Sequence, residues 1–106
     1  IGKVMDEDDA LVSESQLPVG FLGPRKPGTV FGTSPAGGLG WGNGAALGLQ
    51  LGDRSRRVFN VAGDGSYMFG NPTPAHFVSS NLQCMAKYDV DPNTYFLISS
   101  TETLIF

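Results

Sequence analysis

The chain has 106 residues, a net charge of −3 and a single cysteine, Cys84, so it has room for one small domain and excludes a disulfide-stapled scaffold. The 7 Lys+Arg are scattered and outnumbered by 10 Asp+Glu, which gives no electrostatic footprint for nucleic acid. No apolar run approaches the roughly 18 residues that span a bilayer. The opening IGKVMDEDDA lacks the basic and apolar regions of a signal peptide.

In chain order, the acidic run Asp6 to Asp9 reads as a solvated approach to a short apolar strand at Ala10-Leu11-Val12. Ser13-Glu14-Ser15 is a polar loop at its end. Residues 17–36 are punctuated by Pro18, Pro24, Pro27 and Pro35, and Thr29-Val30-Phe31 is their only strand candidate. Of the 15 glycines, six fall between Gly37 and Gly48. This cluster leads into a small-residue, buried helix from Asn43 to Leu51, closed at Gly52 by a glycine suited to the left-handed conformation.

After the solvated turn at residues 53–57, Val58 to Ala62 reads as a buried parallel strand with Asn60 as its one polar member. Gly63-Asp64-Gly65-Ser66 ends it. Asn71-Pro72 suits the start of a second helix, in which Ala75, Val78 and Leu82 recur at helical spacing. Residues 83–93 are mixed and polar, and Tyr95 to Ser99 suits a final strand. This order predicts an α/β fold: an open parallel sheet flanked by helices.

Two constellations carry chemistry. In VFNVAGDGS a buried strand delivers Asp64 to the carboxyl edge of a sheet, where open α/β folds collect ligands. A carboxylate there suits Mg2+ that also binds phosphate oxygens, and the N–H groups of Gly65 and Ser66 suit the same phosphate. Asp-Gly is also common turn chemistry, and on the tripeptide alone the turn is the favoured reading. The second constellation is the glycine cluster, since a glycine loop entering a helix N-terminus is an anion cradle. Gly40 to Ala45 matches G-x-G-x-x-A, with Asp64 about 20 residues on, as a dinucleotide site requires. Close helix–sheet packing would demand the same small residues.

Taken together, residues 36–74, AGGLGWGNGAALGLQLGDRSRRVFNVAGDGSYMFGNPTP, closely resemble the C-terminal cofactor-diphosphate domain of thiamine-diphosphate-dependent enzymes. The acetolactate synthase and benzoylformate decarboxylase group is the nearest in pattern. Leu11 to Ser15 is similar to the Asn-Glu-Ser loop that opens that domain. The resemblance covers residues 1–82 and implies a partial thiamine-diphosphate-binding domain, with residues 83–106 a divergent segment.

The resemblance also implies roles. Asp64 would bind Mg2+, and Gly65 and Ser66 the diphosphate. Leu39 would prop the bent cofactor, with Gly37, Gly38 and Leu39 lining the aminopyrimidine. Glu14 and Ser15 would lie near the diphosphate. The implied activity is that of a lyase or transferase acting on a 2-keto acid, by decarboxylation or by acyloin- or acetolactate-type carboligation through a C2 ylide.

The family pattern carries a second Mg2+-binding residue at the end of a near-continuous apolar strand. By spacing that position falls on Asp91, with Asn93 two places later, and either suits an oxygen ligand. Lys87 and Asp89 do not suit the buried strand expected before it. A misread frame, a retained intron or a degenerate end is therefore one expectation for residues 83–106. The family's acid/base glutamate belongs to a separate pyrimidine-binding domain, and Glu14 is not that residue by position.

The chain alone is accordingly not expected to turn over substrate. A pyrimidine domain from a partner subunit or a missing region, a homo-oligomeric full-length enzyme and a cytoplasmic or other intracellular location are expected. A non-catalytic fragment and a dinucleotide-binding fragment are the alternatives. His76, Trp41 and Cys84 read as packing or surface residues.

Overall fold

Two apolar segments without a polar alternation, Ala10–Ser13 (β1) and Val58–Gly63 (β3), form the centre of the sheet. Strands covered on both faces read as continuous apolar runs, and both are buried over nearly their whole length. The computed structural model describes residues 3–15, 19–32, 36–85, 94–99 and 104–105. Among them lie Val30–Phe31 (β2), Trp41–Gly52 (α1), Asp64–Phe69 (α2), Pro72–Met85 (α3), Thr94–Ser99 (β4) and Leu104–Ile105 (β5). The sheet order is β2-β1-β3-β4-β5. The first four strands are parallel, with Leu11 opposite Phe59 and Val61 opposite Leu97, and β5 runs antiparallel to β4. The α/β reading with an open parallel sheet therefore holds, with one antiparallel edge added.

Side chains alternate between the two faces, as the pleat dictates. Leu11, Phe59 and Val61 pack with Met5 and Leu22 on one side. Ala10, Val12 and Val58 pack with Ala46 of α1 on the other, joined by half-buried Phe31, Trp41, Ala45 and Leu49. Asn60 shares this second face, which fixes what it meets in α1.

Several local expectations are corrected. The chain turns helical at Trp41, not Asn43, because the first turn is anchored from outside the helix. Gly52 is not among the left-handed glycines; the chain leaves α1 through an extended Asp53, whose N–H bonds the Leu49 carbonyl at 3.0 Å. Gly63 still belongs to the strand, and Asp64 to Ser66 open a helix where a turn was favoured. In α3, Ala75 is buried but Val78 is 41% exposed, so the buried stripe is narrower than its spacing suggested. That helix also runs on through Met85.

The acidic run is not a plain solvated face. Asp9 is only 5% exposed and accepts from Arg57 Nη2 at 2.6 Å, while Asp6 takes the same nitrogen at 2.7 Å. The pairing ties the entry to β1 to the entry to β3. Lys26 spans Glu7 and Asp8 at 3.2 and 2.6 Å on the exposed side. Asp91 and Asn93 lie outside the described residues. The strand that follows them enters the sheet with Thr94 opposite Val58, and it reaches the level of Gly63 only at Ser99.

Two outcomes are expected. Leu11→Ala should lower the unfolding free energy by about 2–5 kcal/mol in urea titrations, because the site is fully enclosed. The Asp53 carboxylate lies below its ordinary range because the Ser55 hydroxyl and backbone N–H both donate to it. A depressed folded value stabilises above the unfolded pKa and is lost as pH falls through the folded one. Ser55→Ala should move the Asp53 carboxyl titration upward by NMR and weaken that acid-side dependence, with the Ser55 backbone N–H still donating.

Candidate functional site

β1 connects to β2 on one side, while β3 connects to β4 on the other. The strand order thus reverses between β1 and β3, and open α/β sheets bind ligands outside the carboxyl ends of strands at such a reversal. Ser13 lies opposite Val61, so Glu14 and Ser15 leave β1 at the same edge where Asp64 leaves β3.

The glycine cluster reaches this edge through α1. Gly37 and Gly40 have positive φ of 65° and 86°, which glycine adopts without strain. A Cβ on Gly40 would stand 2.5 Å from the Gly70 backbone, and one on Gly42 would stand 2.6 Å from both Asn60 Oδ1 and Glu14 Oε1. At these two positions the absent side chain is a packing requirement. Around Gly37, Gly38 and Gly65 the space is open.

The first turn of a helix leaves N–H groups without intrahelical partners. In α1 the Glu14 carboxylate takes two of these ends: Oε2 accepts from Gly40 N at 2.6 Å and Oε1 from Gly42 N at 2.7 Å. In the same turn, Asn60 Nδ2 donates to Asn43 Oδ1 at 2.9 Å, and Asn43 Nδ2 donates weakly to the Tyr67 carbonyl at 3.4 Å. The start of α1 is thereby joined to the end of β1, the middle of β3 and α2. Asn43 is the participant that sequence reasoning missed. Asn60 was visible as a lone polar residue in an apolar strand.

Asp64 is exposed as the first residue of α2, and its Oδ1 accepts from Gly65 N at 2.8 Å. Gly65 is exposed and Ser66 is buried one step into the helix. Leu39 projects from the glycine turn at 57% exposure. The turn reaches the end of α2 through the Gly40–Gly70 approach. The structure thus gathers Gly37, Gly38, Leu39, Glu14, Ser15, Asp64, Gly65 and Ser66 at one edge. Glu14, however, is committed to α1, and Ser15 to a local turn in which Ser13 Oγ donates to its carbonyl at 2.8 Å. Among the described residues no group of three His, Cys, Asp or Glu side chains is placed to hold a metal.

The dinucleotide reading loses its geometry here. Its pyrophosphate sits on the N-terminus of the helix after the glycine loop, and in α1 that end is filled by Glu14. The strand feeding the loop is also the two-residue edge strand β2, not a central one. His76 pairs with the Tyr67 hydroxyl through Nε2 at the surface, and Trp41 packs on the α1 face of the sheet.

An open α/β sheet with glycine turn, exposed carboxylate and helix start at its switch point defines a ligand-binding domain of the carboxyl-edge type. Comparison supplies the family: residues 15–86 match the thiamine pyrophosphate enzyme C-terminal TPP binding domain, and the chain belongs to it. Among curated proteins, benzoylformate decarboxylase of Pseudomonas aeruginosa is 48% identical over 46 residues, which is 43% of this chain and 8% of that enzyme. The chain therefore spans a small part of this relative. No helix among the described residues is long and apolar enough to cross a membrane.

Replacing Asn43 tests the buried relay. Asn43→Ala leaves the Asn60 amide unpartnered inside the sheet and should cost about 1–3 kcal/mol of stability in denaturant titration. Asn43→Ala with Asn60→Val should recover much of that loss, because both polar partners are then gone.

Proposed function

We propose that this chain holds the diphosphate end of thiamine diphosphate, with Mg2+, for a lyase or synthase acting on 2-keto acids. The observation that carries the reading is Asp64: an exposed carboxylate at the strand-to-helix junction of the switch point, in a chain of the thiamine pyrophosphate enzyme family.

The donor set fits the group. Mg2+ is commonly held by one or two carboxylates together with substrate phosphates and water, not by an all-protein cage. Asp64 offers one such exposed carboxylate at the edge. In this reading Asp64 carries the cation. The N–H of Ser66, and that of Gly65 once released from Asp64 Oδ1, would meet the diphosphate, and the open space around Gly65 would let phosphate approach the backbone. Leu39 supports the rings of the cofactor, and the backbone of the glycine turn lines the pyrimidine. The strand that follows Asp91 and Asn93 starts opposite Val58, at the end of β3 away from Asp64, so diphosphate oxygens and water supply the cation's further ligands in this reading. Bound thiamine diphosphate supplies the electron sink for the chemistry.

The reaction class follows the name of the partial relative, a decarboxylase, and the resemblance to acetolactate synthases. The acid/base glutamate must come from a pyrimidine-binding domain, in a partner subunit or another region of the protein. Exposed Leu39, Met68 and Phe69 at or near the edge suit burial under such a domain. A cytoplasmic homo-oligomer belongs to the same reading.

Calorimetry tests it. Thiamine diphosphate with Mg2+ should bind, and EDTA should abolish the heat. Asp64→Ala should weaken binding at least about a hundredfold, since even outer-shell metal partners are worth about 10–100-fold. NAD binding without metal would sink the reading. Absence of binding to either would favour a fragment with a structural role only.

A further inference from the structure

We propose that Glu14 is a positioning residue: its carboxylate holds the Gly40 and Gly42 N–H groups and so sets the glycine turn against α2, without itself touching the cofactor. Three observations carry this. Both carboxylate oxygens are engaged, at 2.6 and 2.7 Å, by backbone donors 26 and 28 residues away in sequence. The donors sit at the positive end of a twelve-residue helix, which favours a carboxylate. The fit also admits no spare group, because a Cβ at Gly42 would stand 2.6 Å from Glu14 Oε1 and from Asn60 Oδ1.

The consequence reaches the neighbouring helix. Gly40 lies against Gly70, and Asn43, one residue past Gly42, bonds Tyr67 of α2. The turn bearing Leu39 and the helix bearing Asp64 are therefore placed relative to one another through the first turn of α1. Turning Glu14 toward a ligand would strip Gly40 and Gly42 of their acceptor and release that turn. Glu14 is thus the residue on which the spacing between the two halves of the edge depends.

The part of this proposal that concerns the cofactor rests on the thiamine diphosphate reading; the part that concerns the turn does not. The experiment pairs amide hydrogen exchange at Gly40 and Gly42, followed by NMR on the full chain, with calorimetry using thiamine diphosphate and Mg2+. Glu14→Ala should accelerate exchange at both amides by about tenfold, the scale of a lost helix cap, and weaken cofactor binding by a similar factor. Glu14→Gln keeps one acceptor oxygen and the shape. It should retain protection at one of the two amides and bind within about threefold of wild type.

Loss of binding in Glu14→Ala with both amides still protected would make Glu14 a direct ligand and overturn the proposal. Unchanged exchange and unchanged affinity would overturn it as well. Should the wild-type chain bind no thiamine diphosphate, the functional reading falls, and the exchange rates alone uphold or refute the anchor. If Glu14→Ala fails to fold, loss of protection at one amide in Glu14→Gln upholds the anchor and full protection at both refutes it.

Discussion

The first turn of α1 is held from three directions, and the carboxyl edge of the sheet depends on that seat. Glu14 reaches it from the end of β1, Asn60 from the middle of β3 by way of Asn43, and Gly70 from the α2–α3 junction by direct backbone contact. Helix and strand can approach this closely only where side chains are absent. Gly40 and Gly70 are matched to one another, since a Cβ on either would stand under 3.0 Å from the other's backbone, while at Gly42 the missing side chain makes room for Asn60 and Glu14. The glycine richness of the segment is, at these positions, a statement about close approach.

A polar seat inside an apolar sheet has a cost. Asn60 is 1% exposed, and its Oδ1 finds no protein partner while Nδ2 bonds Asn43. An apolar residue at that position would pack against Val12 and α1 without desolvating an amide. What the amide adds is direction. A hydrogen bond from Asn60 fixes which residue of α1 faces the strand, whereas Ala46 and its apolar neighbours would tolerate small shifts along it. Register between α1 and β3 matters here because the glycine turn and Asp64 are reached from those two elements.

The central strands were legible because burial on both faces writes an unbroken apolar run, as in Val58 to Ala62. The carboxyl-edge position of Asp64 followed from the same run. Two of the misses share a cause in contacts distant along the chain. Asp9 looked like one charge in a solvated run, yet Arg57, 48 residues on, draws it inside. Trp41 and Gly42 stood before the helix start expected at Asn43, yet an acceptor just beyond β1 compensates their propensity. Asp64 to Ser66 carried turn chemistry, and the same residues suit a helix start once the strand ends at Gly63. For Asp9 and for the start of α1, no window of neighbouring residues contains the partner that decided the outcome.

Two carboxylates stand at the edge, each at the start of a helix, and their surroundings separate their roles. Glu14 spans to another element and gives both oxygens to its N–H groups, so its charge is matched by the helix end. Asp64 turns one oxygen back to the N–H of the next residue and remains exposed. The difference is one of reach: a glutamate arriving from β1 can bridge to a neighbouring helix, while an aspartate inside its own first turn can satisfy only its own backbone. A phosphate approaching α2 meets that aspartate's negative charge before it meets the N–H groups behind it. A divalent cation between the two inverts the repulsion. On the proposed thiamine diphosphate reading the edge would favour a phosphate that arrives with its metal, with Glu14 committed to α1 and Asp64 exposed to meet the cation.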